Sequence, residues 1–496
     1  MPLHSYQASD LEKIFASIEK NGKGYRLLYQ LPTGGGKTVI FAEIAKRFIE
    51  RYQSNVTILT HRNELCNQTA RTLKAAGVKS CVVKSGSRVL KTRECACVVA
   101  MVETLKNRIK NKKVHIDNVG LVIIDEAHHN SFRKLLDKFT DAIIIGVTAT
   151  PLSSDKSLPL NEAYDSLIVG ESIKNLISNG FLSKPKSIAY DMDLQSLSTG
   201  PGGDFTVSSS DALYTTPALL QLLVKAYETN AKGKKTLIFN NGIATSKQVF
   251  YAFRELGYPI RHLDNRDSPH ERAEILKWFK QTKDAILTSV SILTTGFDEP
   301  TVQTVILNRA TTSLTLFHQM VGRGSRKLPS KKTFMIIDLG NNTERFGEWN
   351  DELDWQRIFE RPQDFYAQLK LAASPDGARE SAMNAALRAK FPNSLEVGFD
   401  MAEAFQAATR EDRPHKTAIE AAIRQHAAMC LENGDSISEA LSLAEDLAPE
   451  ILLRTREYAK YLDKPTKSYR DWLADDYARR LEGMVKRMFA KVKSVA

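Results

Sequence analysis

The chain has 496 residues, 42% of them hydrophobic, and 69 Lys and Arg against 58 Asp and Glu give a formal charge of +11. That length calls for about two to four domains, and the apolar content excludes a chain that cannot build a core. A membrane span is excluded too, because no apolar run approaches the required length.

The N-terminus carries no charged-then-apolar targeting signal. Five scattered cysteines lack the second pair that a tetrahedral zinc site needs. Reduced thiols, no zinc, no membrane and a cytoplasmic location are therefore expected. A basic balance suits a polyanionic partner. The basic residues cluster at Lys106, Arg108, Lys110, Lys112 and Lys113, at Lys232, Lys234 and Lys235, and at Arg326, Lys327, Lys331 and Lys332. Each cluster by itself reads as a solvated loop.

Tyr25 to Gln30 is apolar and strand-like. It leads into Leu31-Pro32-Thr33-Gly34-Gly35-Gly36-Lys37-Thr38, and apolar residues then recur at helical spacing from Val39 to Ile49. Strand, glycine loop and helix form the context of a phosphate-binding loop. Glycines let backbone N–H groups face a pyrophosphate, and the helix adds the positive end of its dipole. Lys37 can reach the β- and γ-phosphates, and Thr38 can hold Mg²⁺. Leu31 stands where the first glycine of the strict pattern is usual.

Val56 to Leu59 reads as a buried strand, Glu64 to Ala76 as a helix, and Cys97 to Met101 as another strand. Leu121-Val122-Ile123-Ile124 is continuous and apolar, and ends in Asp125-Glu126-Ala127-His128. A carboxylate there can hold Mg²⁺, usually through water. The next one, Glu126, can take a proton from an attacking water. An acidic pair after a strand also serves as an N-cap, and only the phosphate loop upstream favours the chemical reading. His129 reads as an ordinary helix-face histidine. Ala142 to Val147 is a further strand. Short apolar strands between helices predict a parallel sheet covered on both faces, with ligands at the carboxyl ends of its strands.

Residues 152–170 are mixed and polar. Residues 194–210 are rich in Ser and Gly and include Pro201-Gly202-Gly203. They read as a disordered surface loop, with a nucleic-acid or partner loop as the alternative. After residue 345 the pattern becomes helical. Ile419, Ile423, Ala427 and Cys430 share a stripe that Asn433-Gly434 stops, and Ser436 with Glu439 makes a capping box. The last helix carries Arg479, Arg480, Lys486, Arg487, Lys491 and Lys493 around Met484, Met488 and Phe489. It reads as an amphipathic helix with a solvated basic face, or else as a nucleic-acid or partner contact.

Taken in order, these motifs resemble those of superfamily-two helicases of the DEAH type. Tyr6-Gln7 resembles the adenine-reading glutamine motif, and Leu59-Thr60-His61-Arg62 the backbone-contacting segment. Thr148-Ala149-Thr150-Pro151 resembles the motif that couples hydrolysis to domain movement. Thr236 to Asn240 resembles the first strand of a second motor domain. Leu293 to Pro300 resembles the fifth motif, and Gln319 to Arg326 the sixth, with its arginine finger.

The resemblance implies two tandem RecA-like parallel-sheet domains, at 1–170 and 171–345, followed by a helical accessory domain at 346–496. It implies ATP and Mg²⁺ as cofactors, with nucleotide contacts from Gln7, Thr33, Gly34, Gly35, Gly36, Lys37, Thr38, Gly296 and Asp298. Thr38 and Asp125 would hold the metal. Lys37, Thr38, Asp125, Glu126, Gln319, Arg323 and Arg326 would be catalytic, and the spacing of the two arginines puts them on one helix face. Thr60, His61, Arg62, Thr104, Asn240, Thr294 and Thr295 would touch nucleic acid.

The stretch from Leu293 to Asp338 is similar to RadD-type bacterial DNA-repair helicases and to restriction-type motors. The cysteine-rich zinc module usual in that family is absent, because Cys430 is the only cysteine after Cys97. The expected activity is nucleic-acid-stimulated ATP hydrolysis by a helicase or translocase, with DNA favoured over RNA. An RNA helicase, and an ATP-gated clamp that recruits a partner without unwinding, stay open as alternatives. The helical domain is a candidate protein-binding element.

Overall fold

Wholly apolar strands need cover on both faces, and the computed structural model of the chain builds two sheets of that kind. It describes residues 3–493 except 85, 87–94, 112–113, 115–117, 201, 295, 374–384, 395–396, 412, 460 and 463–466. Lys112, Lys113, Pro201 and Thr295 thus lie outside the described residues.

The first sheet contains β1 (Arg26–Gln30), β2 (Asn55–Thr60), β3 (Ser80–Val83), β4 (Cys97–Met101), β5 (Val119–Asp125), β6 (Ile143–Thr148) and β7 (Ser166–Val169). Their order is β3-β4-β2-β5-β6-β1-β7, and every neighbouring pair is parallel. The second sheet contains β8 (Lys184–Ala189), β9 (Thr236–Asn240), β10 (Ile260–Leu263), β11 (Ile286–Ser289), β12 (Thr304–Asn308) and β13 (Thr333–Asp338). Their order is β10-β11-β9-β12-β13-β8, again parallel throughout. The sheets part between Val169 and Lys184. β7, at the edge, falls in the stretch that reads as mixed and polar.

The order of the first sheet places the chemistry. β6 lies between β5 and β1. The acids that end β5 and the loop that follows β1 therefore flank Thr148-Ala149-Thr150 at one carboxyl edge. Backbone bonds tie the three together: Leu31 donates to Thr148 O at 2.9 Å, and Ala127 to Val147 O at 3.0 Å.

Several expectations are corrected. The segment 194–210 is not a loose loop where it is described. Thr199 and Phe205 form an antiparallel bridge. Asp204 accepts from Thr312 N and Thr311 Oγ1, both at 2.8 Å, and pairs with Arg309 at 3.4 Å. Arg309 is buried, and a buried cation needs a carboxylate beside it. Not every basic cluster is solvated either. Lys235 is buried and donates to Phe279 O and Lys280 O, and Lys331 donates to Val302 O and Gly324 O. Cys81 and Cys95 form a disulfide, whereas Cys66, Cys97 and Cys430 are buried thiols. β3 and β4 are neighbours, so residues 14 apart in sequence meet with Cα atoms 5.9 Å apart.

The expected boundary at 345 also moves. The chain parts into units 1–365 and 366–496. The helix Trp355–Glu360 packs on the first sheet's side, with Phe359 buried in a cluster with Phe132, Leu160 and Tyr164. Asn161 donates to Glu360 O at 3.0 Å.

The second unit is helical. Lys416–Asn433, Ile437–Asp446, Ala448–Ala459 and Lys467–Lys493 enclose Ile419, Ile423, Cys430, Leu447, Ile451, Leu481 and Val485. Ser436 and Glu439 form the capping box. The basic helix is less basic than it reads. Arg479 pairs with Asp476, Arg480 with Glu420 and Asp476, and Lys486 with Glu482. Residues 366–496 hold twenty basic and twenty acidic residues, so the whole excess of +11 lies in residues 1–365. The side chains of Lys491 and Lys493 lie outside the described residues.

A fragment ending after Phe365 should be more stable than one ending after Gly347. It keeps Ile358 and Phe359 buried, at about 1.5–3 kcal/mol each, so a gap of about 3–6 kcal/mol is expected. Urea unfolding of both fragments measures it, and equal midpoints would sink the assignment of this helix to the motor unit.

Candidate nucleotide site and nucleic-acid cleft

Gly34 and Gly36 have φ of 97° and 85°, a backbone region that side chains disfavour. The loop they shape is braced from the N-terminal helix Ser5–Asn21. Tyr6 Oη donates to Gly35 O at 2.8 Å and Gln7 Nε2 to the same oxygen at 3.3 Å, while Gln7 Oε1 accepts from His4 N. Gln7 is buried and its amide holds the loop. Beside it, the rings of His4 and Tyr6 lie 4.4 and 5.2 Å from Phe181 of the second lobe. Leu31 packs directly beneath Gly35, where a Cβ would meet its Cγ at 2.7 Å. The unusual leucine thus fills the floor of the loop.

Lys37 opens the helix Lys37–Tyr52, and its Nζ caps Leu31 O at 3.2 Å and Pro32 O at 3.5 Å. Burial lowers its pKa, against the pull of Glu126 and Asp125. Thr38 follows, partly buried. Asp125 is buried, and its Oδ1 accepts from Glu126 N at 3.0 Å. Burial and the neighbouring Glu126 push its carboxyl up to about 7. Glu126 has φ of 53°, a strained value for a non-glycine residue and one typical of functional sites. Burial works to raise its pKa, but the positive charges of Lys37 and Arg323 oppose it and hold Glu126 in the charged form.

Asp125 is buried, Glu126 is partly buried, and Thr38 lies in the first turn of the helix that Lys37 opens. A carboxylate and a hydroxyl are the oxygen donors that suit a divalent cation. Mg²⁺ takes only one or two protein ligands and fills the rest with water and phosphate. Asp125 and Thr38 are the groups available to it.

The second lobe contributes the sixth motif. The helix Leu314–Val321 stops before both arginines, so they do not share a helix face as the spacing predicts. Gly324 presses on Phe334, where a Cβ would run into the ring, and the chain turns there. Arg323 donates to Phe297 O at 2.5 Å and Thr294 O at 2.6 Å. Arg326 Nε bonds Asp298 at 2.7 Å, and its Nη1 lies over Gly34, 2.6 Å from where a Cβ would stand. Glu126 Oε2, Arg323 Nε and Arg326 Nη1 are all buried without a hydrogen-bond partner. Gln319 Nε2 meets His128 Nε2 at 3.4 Å, and Thr150 Oγ1 donates to Thr315 Oγ1 at 2.8 Å. Gly322 lies against Thr33, with room for no Cβ. Gly296 has φ of 73° and faces Leu65.

A cleft of about 590 Å³ lies between the lobes on the other side. It is lined by Arg62, Asn63 and Glu64 from the first lobe, and by Asn241, Gly242, Asp264, Arg272 and Ile292 from the second. Arg62 donates to Ile292 O at 2.8 Å, and Arg272 pairs with Glu64 at 3.3 Å. Of the expected nucleic-acid set, only Arg62 lines this cleft among the described residues, Thr295 lying outside them. Asn240 is fully buried and its amide bonds Thr288 and Ser289, while Asn241, which lines the cleft, is buried too and its amide bonds Phe205 O, Thr206 O and Ser210 Oγ. Thr60 is buried against Cys66. Thr294 is buried and bonds Ser291 O. His61 bonds Ser131, and Thr104 is partly buried just after β4. Asn241, Gly242 and Arg272 line this cleft and lie outside the expected set. The Asn-Gly pair directly after a strand was the available signal.

Residues 1–153 match the family described as type III restriction enzyme, res subunit, and residues 216–327 the helicase conserved C-terminal domain. The chain is 31% identical over 357 residues to a putative ATP-dependent helicase, IRC3, of Saccharomyces cerevisiae, covering 68% of this chain and 51% of that one. It is 26% identical to the type I restriction enzyme EcoAI endonuclease subunit of Escherichia coli, covering 69% of this chain and 46% of the subunit. The chain thus spans about half the length of these relatives. Among solved structures, a fragment of a putative HsdR subunit of a type I restriction enzyme from Vibrio vulnificus aligns with a TM-score of 0.55 at 23% identity, over 70% of this chain and 67% of that chain. The DNA-bound type ISP restriction-modification enzyme LlaBIII aligns with 0.54 at 15% identity, over 98% of this chain and 41% of that one.

Gly322→Ala should hold the lobes apart at Thr33. Steady-state turnover is expected to fall by about 10²-fold, as a misplacement of about 1 Å can cause, and the unfolding midpoint to drop, because the Cβ also meets His318 O of its own lobe at 2.9 Å. Normal turnover would show that this contact does not belong to the hydrolysing state.

Proposed function

We propose that this chain, an ATP-hydrolysing helicase of superfamily two related to the restriction motors, moves along DNA by closing its two lobes on ATP. The observation that carries the reading is the set of buried, unpartnered polar atoms around the phosphate loop: Glu126 Oε2, Arg323 Nε and Arg326 Nη1. A buried polar atom without a partner is costly, and a triphosphate with its attacking water would satisfy all three.

In this reading Lys37 and the loop N–H groups bind the β- and γ-phosphates. Thr38 and Asp125 would hold Mg²⁺, which neutralises charge on the phosphates. Glu126 takes the proton of the attacking water. Arg326, already over Gly34, brings positive charge from the second lobe. His4, Tyr6 and Phe181 offer rings to the base. Hydrolysis weakens the bridge between lobes, and the cleft beside Arg62 and Asn241 changes its grip on the nucleic-acid backbone. DNA is favoured because restriction enzymes are named among the relatives, although relatives at 23–25% identity are named RNA helicases.

ATP turnover with single-stranded DNA, duplex DNA, forked DNA and RNA tests the substrate, and strand or triplex displacement tests movement. Stimulation by RNA alone would overturn the DNA assignment, and stimulation without displacement would favour a clamp. Lys37→Ala should abolish turnover. Glu126→Gln should bind ATP but not hydrolyse it; normal hydrolysis by that variant would remove Glu126 from the role of base. Arg326→Ala should cut turnover by about 10³-fold at nearly unchanged ATP affinity.

Because the helical unit has no net charge, removing residues 366–496 should leave the salt dependence of DNA binding unchanged. Each phosphate that no longer meets a Lys or Arg would lower the slope by about 0.7–0.9, so a shallower slope in the shortened chain would place that unit on the DNA.

A further inference from the structure

His129 reads in the sequence as an ordinary helix-face residue, but its surroundings are not ordinary. Its ring lies 4.9 Å from that of His61, edge to face, and 4.3 Å from that of His128. His61 precedes Arg62, which lines the nucleic-acid cleft. His128 Nδ1 stands 3.4 Å from Glu126 Oε2 and 3.2 Å from Thr148 Oγ1. Three rings in contact thus run from the cleft to the carboxylate assigned as base, wholly within the first lobe. The second route from Arg62, through Ile292 O, leads into the other lobe.

We infer that His129 is a positioning residue that couples nucleic acid at His61–Arg62 to the placement of the Glu126 carboxylate. The inference rests on the motor reading above. Both ends of the row are unfinished: His61 Nε2 and Glu126 Oε2 are buried without a hydrogen-bond partner. Each end therefore has a reason to shift when its ligand arrives, and packed rings transmit such a shift because the interior is close-packed. Burial holds His61 down to about 4 and His128 down to about 3. The rings are neutral near pH 7, and the coupling acts by contact and not by charge.

The test uses the full chain at saturating levels of whichever nucleic acid stimulates the wild type. In His129→Ala the stimulation of kcat should fall by about tenfold, a typical coupling strength. KM for ATP and Kd for the nucleic acid should stay within about twofold. His129→Phe keeps a ring in the row and should retain at least about half of the stimulation. In a cycle with His61→Ala the two losses should not add, since the residues share one path. If His129→Ala unfolds, His129→Leu fills the space without a ring and carries the same expectation. Full stimulation of the ringless variant overturns the inference. So does loss of stimulation in step with loss of nucleic-acid affinity, and so does a Phe variant no better than Ala. A wild type that no nucleic acid stimulates overturns the motor reading itself, a result distinct from a stimulated wild type with an equally stimulated variant.

Discussion

Charge kept out of water must find a partner, and around the phosphate loop this chain matches its charged groups only in part. Lys37, Asp125, Glu126, Arg323 and Arg326 come from three segments of two lobes, and three of their polar atoms stay unmatched. Holding such atoms without a partner is costly. The cost is borne by the two parallel sheets, whose strands fix the loop ends, and by the glycines that let backbone approach backbone. Gly34 lies under Arg326 and Gly322 against Thr33. The lobes meet where neither carries a side chain in the way.

Much of this was legible from the residues in order. Apolar runs such as Leu121 to Ile124 announce buried strands, and the glycine loop and the acids announce their chemistry because each sits at a strand end. What escaped was set by distant partners. The Ser- and Gly-rich segment around Asp204 looks loose until Arg309 is seen to need its carboxylate. Lys235 and Lys331 look solvated until the carbonyls they cap appear. Asn240 and Asn241 are adjacent, and only the end of β9 decides which faces the cleft. The disulfide depends on β3 and β4 being neighbours, and local pattern holds no sign of that pairing. The arginines of the sixth motif keep helical spacing but lie beyond the helix, because Gly324 must fit against Phe334.

The chain spans 51% of one relative and 46% of another. The matched family segments are residues 1–153 and 216–327. Residues 366–496 lie outside both, although the fold of LlaBIII aligns across 98% of the chain.

The even balance of acids and bases in the helical unit bears on how such a chain can diversify. A polyanion approaching from a distance responds to the summed field of the whole molecule, and in this protein the lobes supply that field by themselves. An appendage without net charge can be lengthened, replaced or given a new surface without changing the long-range field that residues 1–365 present. Selection can then act on the helical unit separately from the two sheets.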